Sequence, residues 1–564
     1  LPKWYGELYL EYHRGTYTSM ARNKRYNRLC EFLNTDVELF SVLDQVVGGM
    51  LLYPEKELKV LWKLTMLNQF HDILPGSSIK EVYDDSQKQY KKIIDEASRR
   101  IRQSLTDICK TIAVQAEKNS ATFIVWNQLG FRRDVMVEFP LQDIEWDNPF
   151  NELEVLQEGE HLVLQYTAEG KLICQVKDIP SMGWRTLKVC RRENYQKIED
   201  KVMHQEAIEL PVCLQNNRIE TPYYSILLNG NGEIISLIDK EEERELLPAG
   251  GCANQLIVYQ DRPAEYDAWN IDSTYIEKYW TVSELKSLRI TEHGPLRTCI
   301  HITHKFMDSI IDQDMILYSH SRRIDFKTVV DWKESQLLLK VAFPMDITTD
   351  KAVYEIQYGN VERPIHQNTS WEKAKFEVCA HKWADLAEDG YGVALLNDCK
   401  YGYDINESVI RLTLIKSGIF PNPEADQEIH QFTYSLLPHK GDFRMGRVIQ
   451  EAYDLNRPPY STLMDGEKRP AADQEWSFLE VNQDNVVVEV LKKAEDSNDI
   501  IMRMYEAYGR RTKATITLKQ LSRHDISECD LMERDYTEKN FEYQNGSLSF
   551  VIKPYEIKTF RIHA

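Results

Sequence analysis

The sequence predicts a multidomain α + β protein in which a three-helix bundle precedes antiparallel β-sandwich domains. Apolar residues recur at helical spacing up to about residue 118, and short runs of alternating, β-branched residues replace them beyond that point. The chain length of 564 residues agrees with this division. At about 150 residues per domain it corresponds to three or four domains, each able to bury its own core.

Three apolar stripes predict the helices of the bundle. The first lies within residues 29–47 and ends at two glycines, the second covers residues 55–71, and the third covers residues 78–113. Helices that each carry one apolar face bury it against one another, so the three are expected to form a bundle.

The start of the third helix and the core positions follow from the same pattern. Ser78 is the expected N-cap, and Glu81 three residues later would complete a capping box. The aliphatic residues of the stripes, Leu29 and Ile79 included, are expected in the core.

Strand signals fill the remainder of the chain. They lie at residues 122–126, 135–139, 162–166, 173–176, 186–189, 324–330, 337–343, 486–491, 515–518 and 548–552. Residues 229–232 (Asn-Gly-Asn-Gly) predict a hairpin between segments 224–228 and 234–238, because Asn and Gly tolerate the positive φ of such turns.

These patterns divide the chain into six segments. The predicted division is an active-site loop at 1–20, the three-helix bundle at 21–118, a small β domain at 119–203, a large β-sandwich at 204–458, a linker at 459–472 and a C-terminal β domain at 473–564.

Composition excludes some classes of partner. The formal net charge is −20, and phosphate binding relies on an excess of Lys and Arg, so neither nucleic acid nor an anionic membrane is expected as a partner. The ten cysteines are scattered without a CxxC pair, which predicts reduced thiols and a cytoplasmic location. Oligomeric state stays open, a homo-oligomer included.

The most informative segment is the end of the second helix. His71 and Asp72 stand side by side where the helical pattern stops, and Pro75-Gly76 blocks its continuation. An imidazole is a suitable ligand for Zn²⁺, and an adjacent carboxylate can orient it or bind a hydroxylated ligand. A helix-end histidine with an ordinary hydrogen bond is the alternative.

Several longer motifs point to one family. The chain resembles glycoside hydrolase family 38, the zinc-dependent α-mannosidases, and in particular the family's bacterial and cytosolic branch. The resemblance covers essentially the whole chain and is carried by residues 4–19 (WYGELYLEYHRGTYTS), 68–78 (NQFHDILPGSS), 261–272 (DRPAEYDAWNID), 381–386 (HKWADL) and 391–398 (YGVALLND).

The resemblance implies a retaining, zinc-dependent hydrolysis of terminal α-linked mannose from oligosaccharides or N-glycans. In this family an N-terminal α/β domain supplies the Asp nucleophile, the acid/base carboxylate and further zinc ligands. We therefore expect no catalytic residue in this chain, a Zn²⁺ site completed by an N-terminal catalytic portion, and a mannose-containing oligosaccharide as ligand. The large sandwich is expected to be similar to those of sugar-mutarotating (galactose-mutarotase-like) and lectin-like proteins.

The resemblance also suggests site residues. His71 would be the zinc ligand and Asp72 would bind mannose hydroxyls. Polar and aromatic residues of the opening loop are expected to line the pocket: Tyr9, Glu11, His13, Arg14 and Tyr17. A second segment offers rings that stack on sugars and a carboxylate that accepts their hydroxyls: Tyr266, Asp267 and Trp269.

Two alternatives remain. One is a non-catalytic carbohydrate-binding or structural β-sandwich module. The other is a different sugar enzyme of the epimerase or lyase type, which would need a compact His/Glu set in the large β domain, and the sequence indicates none.

Overall fold

The computed structural model describes residues 3–4, 6–112, 120–140, 153–191, 213–215, 217–464 and 475–564. The predicted domain boundaries near residues 118, 203 and 472 lie outside this part of the chain, as does the predicted end of the third helix at residue 113. Within it, helices at the start and antiparallel sheets afterwards confirm the predicted fold class.

The three predicted helices are present. They are α1 (Ala21–Val46), α2 (Glu55–Asn68) and α3 (Lys80–Thr111). Two shorter helices follow in the large β region, α4 (Ser370–Ala374) and α5 (Val448–Asn456). Short 3-10 segments occur at Glu11–His13, Gly15–Tyr17, Ser273–Glu277 and Lys519–Leu521.

The predicted cap of α3 was wrong. The helix begins at Lys80, and its N-cap residue Ile79 makes no side-chain capping bond. The Ser78 hydroxyl is engaged elsewhere, because it donates to the Asp72 carbonyl at 2.8 Å. The prediction that Leu29 and Ile79 lie in the core was also wrong. Both side chains are exposed, Leu29 on α1 and Ile79 at the N-cap of α3.

Helix α1 packs against both helices and strands. It contacts α2 and α3 and also the strand Val486–Lys493 of the C-terminal region. One continuous core joins Leu43 and Ile93 of the bundle to Met502 and Phe550 of the C-terminal sheets. The bundle therefore buries its apolar surface against a β domain as well as within itself.

The small β region contains two sheets. In spatial order the first is Tyr460–Met464, Ser120–Asn127, Gly183–Arg191, Leu153–Gln157 and Glu160–His161, with Glu475–Ser477 also paired to Gly183–Arg191. The second is Arg133–Pro140, Lys171–Ile179 and Leu164–Tyr166. Part of the predicted linker, Tyr460–Met464, is thus a strand of this sandwich.

The large β region contains three sheets around one core. In spatial order the five-stranded sheet is Arg244–Glu245, Ile234–Asp239, Tyr224–Leu228, Arg218–Glu220 and Cys213–Gln215. The six-stranded sheet is Tyr279–Thr281, Gln255–Gln260, Leu337–Pro344, Val409–Ser417, Gly402–Asn406 and Val378–Cys379. The nine-stranded sheet is Glu284–His293, Arg297–Phe306, Ser309–Tyr318, Ile324–Asp331, Ile429–Lys440, Tyr391–Asn397, Trp383–Glu388, Lys351–Ile356 and Gly359–Pro364.

The C-terminal region is a sandwich of two four-stranded sheets. The first is Glu480–Val481, Thr512–Thr517, Ser547–Ile552 and Phe541–Gln544. The second is Val486–Lys493, Ile500–Glu506, Ile557–Ile562 and Ile526–Cys529. Each predicted strand segment overlaps one of the observed strands, and the predicted hairpin forms between Tyr224–Leu228 and Ile234–Asp239. No helix among the described residues has the length and apolar character to cross a lipid bilayer.

Candidate functional site

His71 lies in a turn directly after α2. The helix ends at Asn68, and the chain then folds back through hydrogen bonds from Ile73 N to Phe70 O (2.9 Å) and from Gly76 N to Ile73 O (3.1 Å). The His71 side chain is 76% exposed, and its Nε2 lies 3.4 Å from Asp72 Oδ2. The turn thus presents an imidazole nitrogen and a carboxylate oxygen together at the surface.

Asp72 is held by the residues that follow it. The Ser77 hydroxyl donates to Asp72 Oδ1 at 3.1 Å, and Ser77 N donates to the Asp72 carbonyl at 3.2 Å. Because Oδ1 is held in this way, Oδ2 is directed to the side where His71 lies. Sequence reasoning did not identify Ser77, although a hydroxyl soon after an Asp in a turn is a common local partner.

The opening loop places its predicted site residues in different surroundings. Glu11 is exposed, whereas the Tyr9 hydroxyl donates to the Glu377 carbonyl, and burial raises the pKa of Tyr9 to about 12. Arg14 is buried, donates to the Ala374 carbonyl and lies over the Phe376 ring at 4.3 Å. Tyr9 and Arg14 therefore anchor the loop to the large β region.

His13 and Tyr17 are half-buried. The His13 carbonyl accepts a hydrogen bond from the Thr16 hydroxyl at 2.6 Å, within the loop itself. Burial raises the pKa of Tyr17. Tyr17 lines a cleft of about 1090 Å³ between α1, α2, the large β region and the C-terminal region. Gln69, Leu74 and Pro75 also line this cleft, so it lies behind the turn that carries His71.

The segment with Tyr266, Asp267 and Trp269 forms a second turn. Tyr266 is exposed with a positive φ of 61°, and its ring meets Tyr12 edge-on at 5.8 Å between centroids. Asp267 accepts hydrogen bonds from Ile419 N (2.6 Å) and Phe420 N (3.0 Å), so its Oδ2 is used to hold the backbone. The Trp269 carbonyl accepts from Gly15 N at 2.7 Å.

These contacts bring the opening loop and the 266–269 turn together. The start of α1 then connects both to the His71 turn, because Gly76 lies against Ser19 so closely that an added Cβ would stand 2.3 Å from the Ser19 carbonyl oxygen. Three of the predicted segments therefore surround the N-terminal end of α1.

A carboxylate and histidine cluster that sequence analysis missed lies on the same end of α1. Ligand atoms of Asp426, Glu428 and His430 come within 4.8 Å of one another. Asp426 accepts from the backbone N–H groups of Met20 (2.6 Å) and Ala21 (2.7 Å). Burial raises the pKa of Asp426 to about 6 and lowers that of His430 to about 3.

The partners of this cluster explain what it does. Glu428 forms an ion pair with Arg22, and His430 Nε2 lies 2.8 Å from the Asp426 carbonyl oxygen. A carboxylate that accepts from the first amides of a helix satisfies donors that have no partner within the helix. The cluster therefore caps α1. A metal ion here would displace Arg22 and the two amides. The alternation D-x-E-x-H at 426–430 was the available sequence signal.

Models of known protein families match most of the chain. Three family models match it: the alpha mannosidase middle domain at residues 11–108, the glycosyl hydrolases family 38 C-terminal domain at 219–424, and the glycosyl hydrolases family 38 C-terminal beta sandwich domain at 485–560.

Curated relatives match over the full chain. Alpha-mannosidase G of Dictyostelium discoideum is 34% identical, over 100% of this chain and 53% of its own length. Alpha-mannosidase 2C1 of Homo sapiens is 32% identical, over 98% of this chain and 50% of its own length. The chain spans about half the length of these relatives.

A solved structure shares the fold. The alpha-mannosidase from Enterococcus faecalis V583 superposes with a TM-score of 0.78 at 15% identity, covering 97% of this chain and 68% of that one. The order of the three matched models, the identity to the relatives and this architecture agree. The chain therefore belongs to glycoside hydrolase family 38, whose middle and C-terminal domains it contains.

Proposed function

We propose that this chain forms one wall of the active site of a zinc-dependent, retaining α-mannosidase that removes terminal α-linked mannose from oligosaccharides or N-glycans. The observation that carries the proposal is the exposed imidazole of His71, held beside Asp72 at the end of α2. Family membership supports the activity, since the relatives named above are alpha-mannosidases.

The donor set at His71 fits a partial zinc site. A stable zinc site uses about four ligands, of which at least three come from protein. Among the described residues, the one group of three or more potential ligands comprises Asp426, Glu428 and His430 and does not include His71. We propose that His71 is one ligand and that an N-terminal catalytic portion supplies the others, together with the nucleophile and the acid/base carboxylate.

The residues of this chain would then bind and orient the sugar. Bound Zn²⁺ would supply Lewis acidity toward sugar oxygens. Asp72 Oδ2 would accept a mannose hydroxyl, because Oδ1 is already held by Ser77. Tyr266, with an exposed ring, offers an apolar face to a pyranose. Tyr9 and Arg14 would act by holding these segments in place, since the Tyr9 hydroxyl and the Arg14 guanidinium are bonded to backbone carbonyls. Asp267 would hold the backbone of residues 419–420 through Oδ2, while its buried Oδ1 has no hydrogen-bond partner among the described residues.

The test uses the complete enzyme that contains this chain. His71→Ala should lose zinc and mannosidase activity together, because the ion is left undercoordinated. Asp72→Asn should keep zinc and lower kcat/KM. An amide has one acceptor oxygen, and when the Ser77 hydroxyl holds it, an NH2 donor replaces the Oδ2 that would accept from the sugar hydroxyl. Metal analysis and kinetics with an aryl α-mannoside separate the two outcomes.

His161→Ala is the matched control, because His161 is also an exposed histidine beside a carboxylate but lies in the small β region. It should leave both zinc content and activity unchanged. A His71→Ala enzyme with full zinc and normal turnover would show that His71 is an ordinary helix-end histidine. A complete protein that binds mannosides without hydrolysing them would instead identify a non-catalytic carbohydrate-binding module.

A further inference from the structure

A buried lysine lies behind the turn that carries His71. The Lys24 side chain is buried, and its Nζ donates to the Leu74 carbonyl at 2.8 Å and to the Ser19 carbonyl. Lysine is seldom buried unless its charge is paired. Asp426, also buried, supplies the opposite charge, and the two groups interact electrostatically. The amino group of Lys24 is therefore held at this position by backbone carbonyls of two separate segments.

Ser19 extends this network to the second turn of the site. Its hydroxyl donates to the Ala268 carbonyl at 2.6 Å, between Asp267 and Trp269. Gly15, four residues earlier, donates its N–H to the Trp269 carbonyl at 2.7 Å. The carbonyl of Ser19 accepts from Lys24 and its hydroxyl binds the 266–269 turn, so one residue joins both.

We infer that Lys24 is a positioning residue, which sets the His71 turn and the 266–269 turn at a fixed separation through Leu74 and Ser19. The inference rests on the proposed function for its catalytic consequence. Lys24 does not contact His71 or Asp72 in its hydrogen bonds, so it acts through the backbone of the turn. Geometry matters here because a small misplacement of binding groups costs a large factor in rate.

The test replaces Lys24 with Met, which has similar length and no donor. In the complete enzyme, Lys24→Met should lower kcat/KM at least tenfold and speed amide hydrogen exchange in residues 73–78. Lys558→Met is the matched control, because Lys558 is a buried lysine paired with Glu528 in the C-terminal region. Lys558→Met should leave both readouts near wild type in the folded protein.

Ser19→Ala tests the second arm and serves if Lys24→Met does not fold. Loss of its hydroxyl should speed exchange in residues 266–269 and raise KM by up to about tenfold, the effect of one hydrogen bond, with zinc content kept. Unchanged exchange and kinetics in Lys24→Met, or in Ser19→Ala if only that variant folds, would overturn the inference. A wild-type enzyme without mannosidase activity would overturn the proposed function instead, and the exchange measurements would still decide the positioning role.

Discussion

At the scale of single residues, the turn that carries His71 needs a glycine where it packs against the start of α1. Gly76 has a φ of +95°, and an added Cβ would meet the Ser19 carbonyl at 2.3 Å. Gly48, after α1, has a similar φ of +84° but no atom within 4 Å of the added Cβ. A side chain at position 48 would therefore meet backbone strain alone, whereas one at position 76 would meet backbone strain and a steric clash.

Alanine at each position should show this difference. Gly48→Ala should cost about 1–2 kcal/mol, the usual penalty for a left-handed residue with a side chain. Gly76→Ala should cost more and also weaken zinc retention by the complete enzyme, because the turn must move away from Ser19. Denaturant unfolding and metal analysis measure the two effects. Equal stability losses with full zinc in both variants would contradict this account.

At the scale of elements, α1 is buried more widely than its apolar stripe suggested. It buries polar side chains as well as apolar ones, because it packs against β regions as well as against the other helices. Asp36 accepts from the Tyr460 hydroxyl at 2.7 Å and pairs with Arg457, and Arg28 donates to the Tyr401 hydroxyl at 3.0 Å. These bonds hold the helix against the β regions on which the site segments lie.

Glu38 of α1 gives a pH-dependent prediction. Burial raises its pKa from 4.5 to about 7, although the Trp62 indole N–H donates to its Oε1 at 2.9 Å. The folded state holds the proton more tightly than the unfolded state, so stability falls as pH rises from about 4.5 to 7. Glu38→Gln removes the charge and should stabilise the protein at pH 8 by at most about 3 kcal/mol.

The same substitution should have little effect at pH 4.5, where Glu38 is protonated in the folded protein. Thermal unfolding at both pH values measures the difference. Glu538→Gln is the control, because Glu538 is exposed. A Glu38→Gln variant whose midpoint shifts equally at both pH values would show that packing, and not ionisation, is responsible.

At the scale of the whole molecule, this chain supplies only part of the candidate zinc site. This chain presents at His71 one imidazole and one neighbouring carboxylate, fewer ligands than a stable zinc site needs. The isolated chain should therefore bind zinc weakly and show no appreciable hydrolysis of an aryl α-mannoside. Stoichiometric zinc after dialysis against a chelator, or turnover typical of a glycosidase, would contradict the assignment of roles to an N-terminal portion.

Much of the architecture could be predicted from the sequence by itself, because period and turn chemistry are local. Apolar residues at helical spacing located α1, α2 and α3, the Asn-Gly turn at 229–232 located a hairpin, and Pro75-Gly76 marked the turn that carries His71. The family motifs identified the chain and nominated His71 and Asp72, whose roles stay proposals.

Only the tertiary structure decided which polar side chains have hydrogen-bond partners far away in the sequence. Arg14 and Asp267 were predicted to bind sugar, and that role stays a prediction. The structure adds that their side chains hold the backbone of residues 374 and 419–420, far away in sequence. Lys24 gave no local signal, because its Nζ donates to the Leu74 carbonyl, 50 residues along the chain. Asp426 gave only the D-x-E-x-H alternation, because its partners, the amides of Met20 and Ala21, lie 406 and 405 residues away. Tertiary packing decides which residue partners a buried charged group, and that residue can lie anywhere in the sequence. A local sequence pattern therefore cannot identify the pair.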